Sequence, residues 1–400
     1  MNKPELLAPA GDMEKLKIAF LYGADAVYIG GSLFGLRANA KNFNLEEIKE
    51  AVSFAHNLKK RLYVTVNIVL HEKEIEEIVT YLKKLDKIGV DAIIVSDPAV
   101  IVLAHKYTSL EIHLSTQQST LNYEAVKFWK RHNVTRIVLA REASKEEIRE
   151  IKANVDIEIE CFVHGAMCAG FSGRCVLSNY FTNRDANRGG CAQICRWDFD
   201  LIGDNGLIKK DKNFTFCAKD LSMLCHIPEM IDLGIDSFKI EGRMRSIYYI
   251  ATITSIYRKV IDEFCQDSLN YTYNKEYENI LSNCANRESI SQFFDGTNLE
   301  SFQYYNDRIE VSNQDFLGLI LEYDEVNKMI TLEERNYFKK DDVVEIFGPN
   351  ISTITYTIDT IFDENGDIID TVNHPNQIVK MPLNISVPVN SMMRIKRNNL

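Results

Sequence analysis

The order of apolar runs in the first 245 residues constrains the fold of this 400-residue chain more than any other feature. Short runs rich in β-branched residues alternate with stretches in which apolar residues recur at helical spacing, as in successive βα units. The candidate strands are Glu5–Ala8, Ala26–Gly30, Leu62–Val69, Ala92–Ser96, Glu111–Ser115, Arg136–Ala140, Ile157–Val163 and Ser237–Ile240. Eight such units close most naturally into an α/β barrel of the (β/α)8, TIM-like class, and an open doubly wound sheet is the alternative.

Glycines at the junctions between helices and strands support this strand count. Three junctions repeat one pattern: Gly23-Ala24-Asp25-Ala26, Gly89-Val90-Asp91-Ala92 and Gly234-Ile235-Asp236-Ser237. Glycine readily adopts the left-handed conformation that ends many helices, so each pattern predicts a helix end followed by a strand. Ser144 and Glu147 have the spacing of a capping box and predict the start of a further helix.

The sequence predicts three regions. We assign residues 1–265 to the barrel, including a cysteine-rich loop over 164–217 and a helix over Leu221–Leu233, and residues 266–313 to a polar connector. From 314 to 400, short β-rich runs separated by Asp, Asn and Gly turns predict a small C-terminal β-barrel domain. In a barrel, the loops that follow the strands gather at one mouth and carry the active site, so the cysteine-rich loop is expected there.

Charge and hydropathy restrict the classes of function. The net charge of −11 argues against nonspecific nucleic-acid binding over the whole surface. Residues 161–197 nevertheless carry four arginines and one aspartate, a local balance of +3 that favours an anion site. No stretch approaches the roughly 18 apolar residues of a membrane helix, and no apolar signal segment follows Met1, so we expect a soluble, cytoplasmic protein with no membrane partner.

Four cysteines in the loop after the seventh predicted strand are the strongest chemical signal. Cys168, Cys175, Cys191 and Cys195 follow the pattern C-x6-C-x15-C-x3-C. Because thiols stay reduced in the cytoplasm, metal ligation or redox chemistry is a better interpretation than disulfides. Zinc sites usually contain two short cysteine pairs, whereas iron–sulfur clusters tolerate irregular spacing. The spacing favours an iron–sulfur cluster, with zinc and unliganded thiols as the alternatives.

Three sequence blocks resemble a known family. Residues 160–168 (ECFVHGAMC) with 173–178 (GRCVLS), residues 187–196 (NRGGCAQICR) and residues 238–243 (FKIEGR) are similar to blocks of peptidase family U32. Within that family, the chain length, the C-x3-C pair and the C-terminal β domain resemble the prephenate-dependent tRNA uridine hydroxylases. That resemblance implies hydroxylation of uridine 34 in the tRNA anticodon loop to 5-hydroxyuridine, with prephenate as cosubstrate.

The resemblance also implies a cofactor and partners. A [4Fe-4S] cluster is expected on Cys168, Cys175, Cys191 and Cys195, and Cys217 is a substitute ligand. The expected partners are tRNA and a paralogous U32 subunit.

Polar residues near the ends of the predicted strands complete the candidate site. The predicted catalytic residues are His164, Lys239 and Glu241, although an internal ion pair between Lys239 and Glu241 is an alternative. The predicted substrate-binding residues are Arg243, Arg141, Asn67, Gln117 and Arg174, of which Arg243 is expected to grip a carboxylate with its planar fork. The predicted RNA-binding residues are Arg184, Arg188 and Arg196.

Other functions stay open on the sequence alone. A collagenase-like U32 peptidase is the main alternative, but a His-Glu-x-x-His motif is missing because Ile75 stands where His71-Glu72 would need the second histidine. The further alternatives are a hydroxylase of ribosomal RNA or of a quinone precursor, and a noncatalytic RNA-binding or assembly subunit.

Overall fold

Eight parallel strands form a closed barrel in the computed structural model, which describes residues 2–36, 42–204, 206–208, 214–284, 287–296, 303–306 and 314–396. The barrel strands, β1 to β8, are Glu5–Pro9, Ala26–Gly30, Arg61–Val66, Ala92–Val95, Glu111–Leu114, Arg136–Val138, Glu158–Gly165 and Ser237–Ile240. Each strand pairs in parallel with the next, and β8 pairs with both β7 and β1, which closes the ring. The predicted (β/α)8 barrel is therefore confirmed.

Helices follow most of the barrel strands and cover the outside of the sheet. The helices α1 to α10 are Met13–Leu21, Leu45–Asn57, Ile75–Ile88, Pro98–Tyr107, Tyr123–Arg131, Lys145–Asn154, Leu177–Thr182, Ile227–Asp232, Ile247–Gln266 and Glu276–Cys284. The predicted capping box is present, since the backbone N–H of Ser144 donates to Glu147 and that of Glu147 donates to Ser144 Oγ. Gly89 ends α3 in the left-handed conformation, with φ of 90°. None of the described helices combines the length and the apolar character that a bilayer crossing requires.

The segment between β7 and β8 departs from the sequence interpretation. A strand, Asp220–Ser222, occupies the start of the predicted helix and pairs antiparallel with the end of β7, so only Ile227–Asp232 is α-helical. Backbone pairing with β7 overrides the helical pattern of these residues. The predicted connector contains α10, and its strand Ser289–Ile290 pairs with Asp220–Ser222. The described part of the connector thus extends the barrel sheet.

The C-terminal domain is an antiparallel sheet that forms a half-barrel. Its strands, in order across the sheet, are Ile354–Thr357, Val343–Phe347, Met392–Lys396, Gln314–Asp324, Met329–Glu334, Ile378–Pro382, Ile361–Phe362 and Ile368–Ile369. Leu332, Ile346 and Val379 are fully buried in a core of its own. The predicted small β domain is therefore present.

Aromatic contacts join this domain to the barrel. Tyr248 of α9 stacks on Phe316 with ring centroids 5.2 Å apart. Tyr22, which follows α1, donates a hydrogen bond from Oη to the carbonyl of Asn390 at 2.8 Å. Phe347 belongs to the same buried apolar cluster as the barrel residues, so the two parts share a continuous contact.

Candidate functional site

A cavity of about 370 Å³ lies at the carboxyl ends of the barrel strands. Active sites of (β/α)8 barrels lie at this end, and the volume is within the range of small-molecule sites. Its wall includes the thiols of Cys168, Cys191 and Cys195 and the cationic side chains of Arg141, Arg196, Lys239 and Arg243. Soft metal ligands and anion-binding groups therefore surround one space.

Three of the four predicted cluster ligands line this cavity, and the fourth does not. Cys168, Cys191 and Cys195 are on the cavity wall, whereas the half-buried Cys175 is not among the described residues that line it. Burial, together with the nearby thiols of Cys168, Cys217 and Cys191, raises the pKa of Cys195 to about 11. The substitute ligand Cys217 is buried beside Cys195, so the structure offers two candidates for a fourth thiolate.

The spacing of the sulfur atoms distinguishes between kinds of metal site. A tetrahedral zinc ion with Zn–S bonds of about 2.3 Å holds its sulfurs roughly 3.8 Å apart. Within the described part of the chain, which includes every cysteine, no three cysteine sulfurs lie within 4.8 Å of one another. Among the described residues, no three cysteine thiols are therefore gathered as closely as the ligands of a bound zinc ion.

An ion pair fastens the cysteine-rich loop to the segment between β3 and α3. Arg188 Nη2 lies 2.6 Å from Glu74 Oε1, and Arg188 Nη1 lies 3.0 Å from Glu74 Oε2 and donates to the carbonyl of Val69. These hydrogen bonds from Arg188 are the largest cause of the low pKa of Glu74, about 2. Arg188 pairs with Glu74 and thereby positions the loop, and its predicted role in binding RNA phosphates stays a prediction.

The other arginines of the loop differ in their positions. Arg184 and Arg174 are exposed, and Arg174 is not among the described residues that line the cavity. Arg174 therefore lies on the surface of the loop, and its predicted contact with a substrate stays a prediction. Arg196 is half-buried on the cavity wall, where its Nη1 donates to Gln193 Oε1 at 2.9 Å. Arg184 alone has the solvent-facing position that its predicted role requires.

Lys239 belongs to a buried ion pair at the base of the cavity. Its Nζ donates to Glu160 Oε1 at 2.8 Å, and the two residues are 4% and 0% exposed. Arg136 Nη1 lies 3.3 Å from the other carboxylate oxygen of Glu160. Burial raises the pKa of Glu160, but the charges of Lys239 and Arg136 outweigh burial and hold it below its usual value. The partner of Lys239 is thus Glu160 on the neighbouring strand, whereas the sequence alternative paired it with Glu241.

Glu241 lies on the cavity wall beside an aromatic side chain that sequence reasoning missed. Tyr28 Oη lies 3.0 Å from Glu241 Oε2 and 3.0 Å from the carbonyl oxygen of Ile240. The Lys239 ammonium lies 4.5 Å from the centroid of the Tyr28 ring. Glu241 therefore occupies a position from which a carboxylate can exchange a proton with a bound ligand.

His164 lies outside the described cavity wall. It is 2% exposed, and its Nδ1 is 3.3 Å from Tyr257 Oη on α9. Burial, and then the charge of Arg245, lower the pKa of His164 to about 3, so the ring is neutral at physiological pH. His164 is therefore buried against a helix, and its predicted role in acid–base catalysis stays a prediction.

Asn67 and Gln117 line the cavity as predicted, but they bond mainly to each other. Asn67 Nδ2 donates to Gln117 Oε1 at 2.6 Å, and Gln117 Nε2 donates to the Asn67 carbonyl at 3.0 Å. Asn67 Oδ1 also accepts a hydrogen bond from the backbone N–H of Leu36. These amides brace the wall between β3 and β5.

Arg243 is also committed to the wall. It is 5% exposed, its Nη1 donates to Thr65 Oγ1 at 3.1 Å, and its Nη2 donates to the carbonyl of Leu36. A Cβ atom at Gly30 would lie 2.0 Å from Arg243 Nη1, so only glycine leaves room for this guanidinium. Arg243 lines the cavity with its fork bonded to protein groups, and its predicted grip on a substrate carboxylate stays a prediction.

Arg141 is better placed to receive an anion. Its guanidinium lies 3.9 Å from the centroid of the Phe162 ring, and its Nη1 donates to the carbonyl of Ala166 at 2.9 Å. A guanidinium has five N–H donors, and the bond to Ala166 uses one. The stacked ring fixes the plane of the fork, so Arg141 is preorganised at the cavity wall.

Strand alternation contained a signal for the residues that sequence reasoning missed. Glu160, Phe162 and His164 alternate along β7, and the first two point into the barrel toward Lys239. An acidic residue at an inward position of a barrel strand requires a buried cation, and the two neighbouring strands offer Arg136 and Lys239. Phe162 is the next inward residue of β7, so strand alternation also predicts an aromatic side chain on the cavity wall.

Family models match nearly the whole chain. The model of peptidase family U32 matches residues 11–303, and the model of the peptidase family U32 C-terminal domain matches residues 312–394. The chain belongs to peptidase family U32. The first match covers the barrel from α1 onward with its cysteine-rich loop, and the second covers most of the half-barrel.

Three relatives carry names that point to different chemistry. The tRNA hydroxylation protein P1 of Bacillus subtilis is 51% identical, and the alignment covers 98% of this chain and 95% of that protein. The 23S rRNA 5-hydroxycytidine C2501 synthase of Escherichia coli is 41% identical over 66% of this chain and 40% of its own length. The collagenase of Porphyromonas gingivalis is 30% identical, with 98% and 96% coverage.

Proposed function

We propose that this protein hydroxylates uridine 34 in the anticodon loop of tRNA to 5-hydroxyuridine, with prephenate as cosubstrate and a [4Fe-4S] cluster as cofactor. The observation that carries the proposal is the cavity at the barrel mouth, where cysteine thiols and arginine side chains line the same space. The relative with 51% identity along nearly the whole chain is named for tRNA hydroxylation, which supports RNA as the substrate.

Cys168, Cys191 and Cys195 are the proposed cluster ligands on the cavity wall, and Cys175 or Cys217 supplies the fourth thiolate. The fit rests on three soft thiol donors that line one cavity, with the buried Cys217 beside Cys195. When bound, such a cluster supplies electron transfer at a potential that its surroundings set. Arg188 contributes by holding the loop against the barrel through Glu74.

Prephenate carries two carboxylates, and arginine forks bind carboxylates through paired hydrogen bonds. We assign this grip to Arg141 and Arg196, because both line the cavity and the fork of Arg243 already holds Thr65 and Leu36. The target base must leave the RNA stack to reach the cavity, as in other enzymes that modify bases. Glu241 is then the titratable group on the wall that is placed to move a proton.

Proteolysis is less well supported by the same geometry. A cysteine nucleophile must be free of other ligands, whereas the proposed cluster uses the thiols of Cys168, Cys191 and Cys195. Among the described residues, the group best spaced for a single metal ion is His226, Glu229 and Asp295. Lys145 Nζ lies 3.3 Å from Glu229 and 3.0 Å from Asp295, so a cation of the chain already neutralises these carboxylates.

The direct test is the nucleoside content of tRNA. In a strain that lacks its own uridine 34 hydroxylases, expression of this chain is expected to produce 5-hydroxyuridine at position 34, measured by mass spectrometry of digested tRNA. The same digestion of ribosomal RNA is the control for the alternative substrate. A hydroxylated nucleoside in ribosomal RNA alone, or collagen cleavage without any new nucleoside, would overturn the proposal. Copurification with a tagged chain tests for the paralogous subunit.

Arg141→Lys is expected to lower kcat/KM for the cosubstrate roughly 10- to 100-fold, because lysine keeps the charge but loses the fork stacked on Phe162. Titration of prephenate with purified protein and a fixed tRNA concentration measures the effect. Arg149→Lys, on the exposed face of α6, is the matched control and should leave the titration unchanged. A prephenate titration of Arg141→Lys that matches the wild type would show that Arg141 does not bind the carboxylate.

A further inference from the structure

Five aromatic rings form a continuous row on the outer side of the cysteine-rich loop. Successive ring centroids are 5.3 Å apart from Tyr180 to Phe181, 5.9 Å from Phe181 to Phe199, 5.4 Å from Phe199 to Phe216, and 4.8 Å from Phe216 to Phe214. Each neighbouring pair meets edge to face, the arrangement in which aromatic rings attract one another. We call these five residues the aromatic row.

Three side chains of the aromatic row are much more exposed to solvent than the side chains of a hydrophobic core. Tyr180 is 85% exposed, Phe181 is 49% exposed and Phe216 is 46% exposed. On the strand Phe214–Ala218, Thr215 and Cys217 are buried, so Phe214 and Phe216 lie on the opposite face. Thr215 and Cys217 therefore pack this strand against the rest of the protein, and the packing does not depend on the two phenylalanine rings. Clustered exposed aromatic side chains commonly mark an interaction site.

Both ends of the aromatic row are fastened to the wall of the cavity. Thr215 Oγ1 donates to the carbonyl of Cys195 at 3.1 Å, and Cys195 lines the cavity. At the other end, Ser178 of α7 accepts a hydrogen bond from the backbone N–H of Ala192, next to the cavity residue Cys191. The segments that carry the aromatic row are therefore hydrogen-bonded to the segments that form the cavity wall.

Charge and ring chemistry together favour RNA as the occupant. Arg184, four residues after Tyr180, is exposed, and residues 161–197 keep a local balance of +2 after Glu74 neutralises Arg188, since four arginines then face Asp185 and Glu74. Unpaired bases stack on exposed aromatic rings while arginines contact the backbone phosphates. We propose that the aromatic row stacks the unpaired bases that flank the target nucleotide of an RNA loop. This inference rests on the proposed function, because it takes the cavity as the site of one nucleotide.

The test compares an unpaired loop with paired RNA. We expect Tyr180→Leu/Phe216→Leu to bind a tRNA anticodon stem-loop roughly 5- to 100-fold more weakly than wild type, since a leucine stays apolar but has no ring face for a base. Binding of a fully paired RNA duplex of equal length should not change. Fluorescence anisotropy at one salt concentration measures both affinities, because phosphate contacts depend on salt.

Matched variants separate stacking from general damage. Phe128→Leu removes a 45% exposed ring from α5 and is expected to bind the stem-loop normally. Tyr180→Phe keeps the ring and should also bind normally, and Tyr180→Leu alone changes the most exposed ring if the double variant folds poorly. Iron content and circular dichroism report whether each variant has folded.

Two results would overturn the stacking role. Stem-loop affinity that is unchanged in the leucine variants, together with a shift in their native mass, would assign the aromatic row to a protein contact. An equal loss of affinity for stem-loop and duplex would assign it to nonspecific binding. Failure of the proposed function would give a different result. The tRNA would then contain no 5-hydroxyuridine, while the affinity for the stem-loop would still fall in the leucine variants.

Discussion

Cys191→Ser protein, purified without oxygen, is expected to be colourless and to keep less than roughly a tenth of the iron of the wild type, because a hydroxyl replaces a soft thiolate ligand. Cys191 lies on the cavity wall with Cys168 and Cys195, so its loss opens the proposed cluster to solvent at the substrate side. Iron and sulfide analysis with the visible absorption spectrum measures the effect.

Cys265→Ser is the matched control, since Cys265 is a half-buried thiol at the end of α9, away from the cysteine-rich loop. This variant should keep its colour and iron. Stoichiometric zinc with no iron after anaerobic reconstitution of the wild type would contradict the cluster.

The same measurement identifies the fourth ligand. Cys175 stands in the sequence pattern, whereas Cys217 lies buried beside Cys195. The ligand is the residue whose serine variant loses as much iron as Cys191→Ser. If Cys217→Ser has this effect and Cys175→Ser does not, the C-x6-C spacing is a feature of the loop and not of the ligand set.

The barrel was predictable because its signals are local. Strand β2 spans Ala26–Gly30 and β8 spans Ser237–Ile240, as predicted, since β-branched runs and flanking glycine turns act within a few residues. The helix predicted from Leu221 failed because Asp220–Ser222 pairs with β7, a segment more than fifty residues earlier in the chain. Long-range backbone pairing leaves no mark on the local pattern.

The site was predictable in position but not in its partners. Arg141, Glu241 and Lys239 follow or end barrel strands, and this placement alone brought them to one cavity. Nothing near Arg188 in the sequence predicts Glu74, which lies 114 residues away and neutralises it. Arg243 likewise meets Thr65 only through the closure of the ring. Residue type and strand position therefore predict which groups gather, while tertiary contacts decide which of them remain available to a ligand.

The buried pair of Lys239 and Glu160 is expected to have the largest effect on stability. Lys239→Met leaves the Glu160 carboxylate fully buried with one remaining cation, Arg136, which also pairs with Glu5 and Glu158. Removing one partner of a buried ion pair costs about 3–5 kcal/mol, so the free energy of unfolding should fall by about 3 kcal/mol or more at neutral pH. Urea denaturation followed by circular dichroism measures this change.

Two variants test the electrostatic cause. Lys152→Met breaks a partly exposed pair with Asp236, with the two atoms 2.8 Å apart, and should cost less than about 1 kcal/mol. Glu160→Gln/Lys239→Met removes both charges and should recover most of the lost stability, because no unpaired charge remains. A double variant no more stable than Lys239→Met would assign the loss to packing around the Lys239 side chain.

The stability difference between the wild type and Lys239→Met is expected to depend on pH. In the wild type, the lowered pKa of Glu160 means that its contribution to stability is present above the pKa of an unfolded glutamate, about 4.3, and is lost as pH falls through the folded value. Without Lys239, we expect burial to outweigh the remaining charge of Arg136 and to shift the pKa of Glu160 upward, so the charged carboxylate should destabilise the fold increasingly as pH rises. The deficit of Lys239→Met should therefore be largest at neutral pH and shrink toward pH 4. A deficit that is constant across this range would show that Lys239 stabilises the barrel through its contacts with Tyr28 and Phe162 instead of its charge.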